Sequence, residues 1–374
     1  MNPDPVSLAR KLISFNTMNP PGFEKDCAEY LGRLLEQGGY EVSYYEFDET
    51  RTSLVAHREG KGSKPPICFS GHLDTVPLGA AKWSVDPFGG DIVGDRVYGR
   101  GSSDMKGGVA AMVSAALSLP PRERGQAGVT LILTAGEEKG CEGASYMAGL
   151  GGVLGEAGAL VVGEPTSNYP VVGHKGAMAI EMETKGITAH GSMPEQGDNA
   201  IYKAAQAVLK LRDYRFDIPP HPLLGSPTIN VGTIRGGINI NSVPDRALAG
   251  IDIRAIPGQD YGKILDELQA HLGPDAELRC FLKAPSIFSD PEDEWIQEVF
   301  NIGGSFLKEE IEPRGISYFT DASVLKPALG DPPTVILGPG EASMAHKSDE
   351  FCYVENIRIA AEIYLEIARR WCGL

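Results

Sequence analysis

The feature that most limits what this chain can fold into is a change of pattern between residues 177 and 287. In that stretch the periodicity predicts a strand over 177–185, a helix over 199–211, strands over 228–234 and 247–254, a helix over 261–272 and a strand over 277–283. A β-α-β-β-α-β order is the ferredoxin-like arrangement, a compact domain in its own right. The flanks read differently. Residues 24–37 carry apolar side chains at helical spacing and stop at Gly38-Gly39, a helix-ending pair. Strands are expected over 40–47, 54–57, 67–70, 129–134 and 160–162, with a small-residue helix over 109–119 halted by Pro120-Pro121. Beyond residue 287, the alternation of helix and strand resumes, with a helix over 292–302, a strand over 334–337 and a closing helix over 355–371. Apolar strands alternating with helices argue for an α/β fold, an open, mostly parallel sheet with helices on both faces. The expected architecture is one α/β domain in two parts, 1–176 and 288–374, interrupted by an inserted ferredoxin-like domain at 177–287. A length of 374 residues suits two domains better than one core.

Charge and cysteine content exclude several classes of function. Lys and Arg number 34 against 50 Asp and Glu, a formal net charge of −16. With no basic run to displace counterions from a phosphate backbone, a nucleic-acid partner is not expected. Acidic surplus is ordinarily a solvated surface; its more specific meaning would be carboxylates that hold a cation. The six cysteines are scattered with no Cys-x-x-Cys pair, and read as reduced, buried thiols. No run approaches the ~20 apolar residues that span a bilayer. Residues 1–15 include Asp4, Arg10 and Lys11 and lack the pattern of a signal peptide. A cytoplasmic protein without membrane contact is expected.

In open α/β sheets, ligands bind beyond the carboxyl ends of the strands. The residues that follow each apolar run are therefore the informative ones. Ile67-Cys-Phe-Ser-Gly71 is followed by His72 and Asp74, and Val129 to Gly136 by Glu137-Glu138. Leu160-Val-Val-Gly163 leads to Glu164, and Thr334 to Gly338 leads through a short loop to His346. Asp104 lies in the Gly-rich loop Tyr98 to Gly108, just ahead of a helix. Singly, each residue has a bland reading: a hydrogen-bonding turn His, an Asp that caps a helix, a solvated Glu-Glu pair, a Glu-Pro turn. Jointly, two His and three or more carboxylates on one rim favour a metal site. Imidazole plus carboxylate without thiolate suits a hydrolytic zinc, cobalt or manganese centre rather than a structural sulfur site. His72 and Asp74 face one side of an extended segment, so Asp74 can fix the imidazole's tautomer. Adjacent Glu137 and Glu138 would diverge in extended backbone, leaving one free as a general base.

These residues, in this order, resemble the dinuclear-zinc hydrolases that include acetylornithine deacetylase, succinyl-diaminopimelate desuccinylase and the glutamate carboxypeptidases. The motifs are Ser70-Gly-His-Leu-Asp-Thr-Val-Pro77, Tyr98-Gly-Arg-Gly-Ser-Ser-Asp-Met-Lys-Gly107, Ala135-Gly-Glu-Glu138, Gly163-Glu-Pro-Thr166 and Ala345-His-Lys-Ser-Asp-Glu350. The resemblance spans essentially the whole chain. It implies that Asp104 bridges two divalent metal ions, zinc foremost. His72 and Glu164 would hold one and Glu138 and His346 the other, with Glu137 as general base and Asp74 as the partner of His72. It implies amide hydrolysis by activated water with no covalent intermediate, on an N-acyl amino acid or short peptide. No Gly-x-Ser-x-Gly elbow competes with that reading.

For the insertion, the resemblance implies a lid and a homodimer formed through it. It makes His190 an interface residue that reaches the partner subunit's site, and Asn241 and Arg254 substrate-binding residues. Arg suits a free carboxylate, because its planar fork binds carboxylates in bidentate fashion. The bland reading of Arg254 is a strand-end ion pair with Asp252 or Asp260. His57, His221 and His271 read as surface or helix-end residues, and His174 as a hinge or packing residue. The stretch Ser317-Tyr-Phe-Thr-Asp-Ala-Ser-Val324 departs from the Gly-Gly-Thr-Ser-Asp-Gly run usual in desuccinylases, and is closer to the deacetylase and carboxypeptidase branches. Thr320 within it is expected to line the site. Three readings stand: an N-acyl-amino-acid amidohydrolase, a metallo-carboxypeptidase or dipeptidase with the same centre, and a non-catalytic relative. The presence of Glu137 and all five ligand positions argues against the last.

Overall fold

The computed structural model describes residues 3–121, 123 and 125–374. Met1 and Asn2, at the start of the N-terminal stretch, lie outside the described residues. The chain divides into two compact units. The first comprises Met1–Gly173, Phe288–Arg314 and Thr320–Leu374, the second His174–Ile287 with Gly315–Phe319. No helix among the described residues is long and apolar enough to cross a membrane.

The first unit is built on a six-stranded sheet in the order Glu41–Asp48, Arg51–Arg58, Val129–Thr134, Ile67–His72, Ala159–Val162, Thr334–Ile336. The first two strands form an antiparallel hairpin that pairs antiparallel with Val129–Thr134, and the last four strands run parallel. Every residue of Ile67–His72, Val129–Thr134 and Ala159–Val162 is buried. Strands covered on both faces need apolar side chains in unbroken runs, which is why these segments do not alternate. The edge strand Glu41–Asp48, by contrast, is half-exposed and carries Glu41, Glu46 and Asp48. Helix Gly107–Ser118 is apolar nearly all round and buried from Gly107 to Ala116, as such a helix must be. Its alanines let it lie between strand Ile67–His72 and the helices Pro5–Ile13 and Val354–Cys372. Because the four parallel strands share a direction, the loops after His72, Thr134, Val162 and Ile336 leave the sheet at one edge.

The second unit is an antiparallel sheet in the order Thr228–Gly236, Arg246–Ala255, Gly176–Lys185, Ala276–Ala284. Helices Ala200–Asp213 and Tyr261–Leu272 fall between its strands to complete the β-α-β-β-α-β order. Asn199 and Asp260 cap them, each side chain accepting two main-chain N–H groups. Its core alternates along the strands. Met178, Ile180 and Met182 on one strand and Ala249, Ile251 and Ile253 on its neighbour meet Leu211, Ile264, Leu268 and Leu272 from the helices. Ile251→Ala should cost this unit about 2–5 kcal/mol, read as an earlier transition in urea. Ile238→Ala, at a side chain left 93% exposed, should leave the transition in place.

Candidate metal centre

His72 ends strand Ile67–His72, and its ring is almost wholly buried. Its Nε2 lies 3.0 Å from Asp104 Oδ1 and 3.8 Å from Glu164 Oε1. On the other side of Asp104, His346 Nε2 lies 3.5 Å from Oδ2 and 3.1 Å from Glu138 Oε2. His72, Asp104 and Glu164 form one group of possible ligands and Asp104, Glu138 and His346 a second, the ligand atoms of each within 4.8 Å of one another. Asp104 turns one carboxylate oxygen toward each imidazole, so a single side chain joins both groups. Each group offers one imidazole nitrogen and two carboxylates, a set that fits a divalent cation such as zinc, cobalt or manganese.

The backbone explains how the acids are aimed. Asp104 caps no helix: Gly107–Ser118 starts three residues later, and Asp104 itself has extended φ/ψ of −122° and 94°. Glu137 and Glu138 lie in a short 3₁₀ turn, Glu137–Lys139, rather than in the extended backbone expected, with Gly136 and Gly140 in the left-handed region on either side. The divergence of the two side chains survives that change. Glu138 joins the His346 group, while Glu137, 6% exposed, belongs to neither group. Both main-chain N–H groups of the turn donate to the Asp74 carboxylate, at 3.1 and 3.2 Å. Asp74 therefore has a second duty beyond His72. The His72 Nδ1 is in fact closer to the Asp74 carbonyl oxygen, 3.0 Å, than to its carboxylate, 3.6 Å. Glu164 is held by close packing of backbone: a side chain at Gly338 would meet the carbonyl oxygens of Gly163 and Glu164 at 2.2 and 2.5 Å.

Burial raises Glu137, Glu138 and Glu164 above the usual carboxylate range, with the charge of Glu164 adding at Glu137 and that of Asp104 at Glu138. Burial also opposes the charge on His72, but Asp104, Asp74 and Glu164 outweigh it and lift the ring well above its ordinary value. His346 is pushed up to about 10 by its bonds to Asp104 and Glu138. Asp104 is the exception among the acids: against its burial, the two imidazoles hold it below the usual range. The cluster thus binds protons where a cation would bind instead.

The remaining expected residues belong to neither ligand group. Thr320 is fully buried, its hydroxyl accepting the N–H of Ala322 at 3.1 Å and its carbonyl facing the Cys141 thiol at 3.7 Å. That hydroxyl serves the start of helix Ala322–Ala328. His190, Asn241 and Arg254 belong to the second unit. The His190 ring bonds Ser192 at 2.7 Å, and Arg254 makes the strand-end ion pair with Asp252, at 3.0 Å. His57 is half-buried in strand Arg51–Arg58 rather than at a helix end, and faces Thr130 at 2.9 Å. His174 is buried and pushed down to about 4 by desolvation, in neither ligand group.

Three residues carry no assignment from the sequence. Asn19 donates to Asp74 at 2.8 Å. Asp321, next to Thr320, is buried and bonds Thr134. Glu350 is fully buried beneath the Asp104 loop. Glu350 and Asp321 stand inside stretches that the motifs single out, but nothing in their spacing marks them.

A family model for peptidase family M20/M25/M40 matches residues 68–370. The succinyl-diaminopimelate desuccinylase of Rhodospirillum centenum is 32% identical over 396 residues, covering 99% of this chain and 98% of its own. An M20 family metallo-carboxypeptidase from Sulfolobus solfataricus shares the fold with a TM-score of 0.83 at 19% identity, covering 100% of both chains. A dinuclear metal-binding peptidase of the M20 family from Bacillus subtilis gives a TM-score of 0.73 at 16% identity, covering 99% of this chain and 98% of its own.

A cation must compete with the proton on His346, which is pushed up to about 10, so affinity should rise with pH. Cobalt or zinc should bind about tenfold or more tightly at pH 8 than at pH 6 in competition titrations. Asp104→Asn should weaken both equivalents of metal, whereas His346→Ala should weaken one.

Proposed function

The chain belongs to peptidase family M20/M25/M40 and is a metallohydrolase, and on that premise we propose that it hydrolyses the amide bond of N-acyl amino acids. The observation that carries this reading is the pairing of two ligand groups through Asp104, with a buried, unligated Glu137 beside them. His72, Asp104 and Glu164 would hold one divalent ion and Asp104, Glu138 and His346 the other, zinc being the best match to the donors. Bound there, such ions supply Lewis acidity, polarising a scissile carbonyl and acidifying water.

The chain's own residues do the rest. Glu137 takes the proton of the attacking water on its carboxylate and delivers it to the nitrogen of the departing amine. Its burial raises its proton affinity, which strengthens it as a base toward the attacking water. Asp74 fixes the main-chain N–H groups of both Glu137 and Glu138, so base and ligand keep a constant spacing. On the second unit, His190 would help hold the oxyanion in the partner subunit's site, Asn241 would bind substrate, and Arg254 would hold the substrate's free carboxylate. Arg254 suits this because only part of its guanidinium is engaged by Asp252.

A homodimer through the second unit is supported by its surface. Strand Thr228–Gly236 is a sheet edge, and Tyr202, Leu209 and Ile234 stand exposed on it and on helix Ala200–Asp213. Unpaired edges with apolar neighbours tend to be covered. Tyr202→Lys should shift the protein from dimer to monomer in light scattering; an unchanged mass would put the interface elsewhere.

A second reading, a metallo-carboxypeptidase or dipeptidase, is favoured by the likeness to the Sulfolobus solfataricus enzyme. Amine release from N-acetyl, N-succinyl, N-formyl and dipeptide substrates separates the two. Release from acylated amino acids is expected, and release from dipeptides alone would replace the first reading with the second. N-succinyl substrates belong in the panel because the Rhodospirillum centenum relative is a desuccinylase, although the 317–324 stretch departs from the desuccinylase pattern. Glu137→Gln should keep both metal equivalents and lower kcat by about 10²- to 10⁴-fold. Undiminished turnover in that variant would remove Glu137 from the reaction.

A further inference from the structure

We propose that Glu350 is a positioning residue whose buried carboxylate holds the loop 101–104 in its metal-binding shape before any cation arrives, and so brings Asp104 and His346 together. Its Oε2 accepts from Arg100 Nη1 at 2.6 Å and from the N–H of Gly101 at 3.0 Å. Its Oε1 accepts from the N–H groups of Ser103 and Asp104 at 2.8 and 3.0 Å. Four donors fill the capacity of one carboxylate. Three of the four are main-chain groups of the loop that carries Asp104, so the contact is more than a buried ion pair.

Main-chain bonds close the ends of this loop, from the Ser102 N–H to the Gly99 carbonyl at 3.0 Å and from the Lys106 N–H to the Gly101 carbonyl at 2.8 Å, while the N–H groups of Gly101, Ser103 and Asp104 are met by Glu350. Asp104 and Met105 depart from helical φ/ψ, so their N–H groups are not aligned for a helical ladder. Gly101 sits at φ +85°, and a side chain there would also meet Thr75 at 2.7 Å. Successive N–H groups turned toward one point form an anion-binding concavity, and here the anion belongs to the chain itself.

Glu350 lies four residues beyond His346, which ties the second group of ligands to the first. Arg100 also donates to the carbonyl of Lys347 at 3.2 Å, next to His346. Ser103 Oγ donates to the carbonyl of Phe351 at 2.6 Å, and Phe351 pairs with Tyr98 in a small antiparallel sheet. His346 is 55% exposed and sits on a loop with φ +64°, whereas the His72 ring is buried at a strand end. Both groups share Asp104, but the one containing His346 has its imidazole near the clamp as well and therefore depends on it more.

The test rests on the metal-centre reading and keeps the two separable. Cobalt(II) is titrated into metal-free wild type, Glu350→Gln and Glu350→Asp, followed by visible absorption. Hydrogen exchange is measured in parallel on a peptide covering 99–106. Wild type should bind two equivalents; failure to do so would sink the metal centre itself. Glu350→Gln keeps the shape but loses charge and an acceptor, and should weaken the second equivalent about 10- to 100-fold and the first far less. Its 99–106 peptide should lose protection, and Glu350→Asp should recover part of the second affinity. Two wild-type affinities in Glu350→Gln, or equal weakening of both, would overturn the proposal. If neither variant folds, metal-free wild type decides: protected amides at 101, 103 and 104 support the clamp, and exchange at free-loop rates overturns it.

Discussion

The structure turns on a collection of acids that electrostatics alone would disperse. Asp104, Glu137, Glu138 and Glu164 meet at one sheet edge, each largely or wholly out of water. A buried carboxylate is costly unless it is paired or hydrogen-bonded. The two imidazoles relieve part of this cost: His72 stands between Asp104 and Glu164, and His346 between Asp104 and Glu138. What is left is an excess of negative charge in a small volume, and this is what suits the site to divalent cations.

Keeping such a cluster assembled falls to other acids, which act on backbone rather than on ligand. Asp74 collects the N–H groups of the Glu137–Glu138 turn, and Asn19 in turn bonds Asp74. Glu350 collects those of the Asp104 loop. Both loops contain left-handed glycines, Gly136 and Gly101, at the points where the chain turns its N–H groups inward. The ligand-bearing loops are thus fixed by anions of the protein's own, and side-chain geometry follows from main-chain geometry.

The legible parts of this arrangement share a physical cause. Strands buried on both faces must be written as unbroken apolar runs, so their ends can be located, and His72, Glu137, Glu138 and Glu164 each stand just past such an end. The inserted unit is legible for the opposite reason, since a sheet with one solvated face alternates, as Met178, Ile180 and Met182 do. Helix Pro5–Ile13 escapes the periodicity although Asp4 and Pro5 give it a capped start, because its nine residues fall short of a clear periodic stretch. The bond from the Ala322 N–H to the Thr320 hydroxyl is not legible in the sequence, because it depends on where helix Ala322–Ala328 starts.

The sequence by itself determined the two textures and which candidate ligands stand past the strand ends, because these depend on residue type, spacing and burial pattern. It could not show which buried acid serves which loop. Glu350 and Asp104 are 246 positions apart and Asp74 and Glu137 are 63. A hydrogen bond depends on direction and distance, and no local pattern records either across such separations. Tertiary structure decided that Asp104 shares its two oxygens between two imidazoles. It also decided that Glu137 stays free while Glu138 joins a ligand group, because only the 3₁₀ turn and its Asp74 anchor set the two side chains apart.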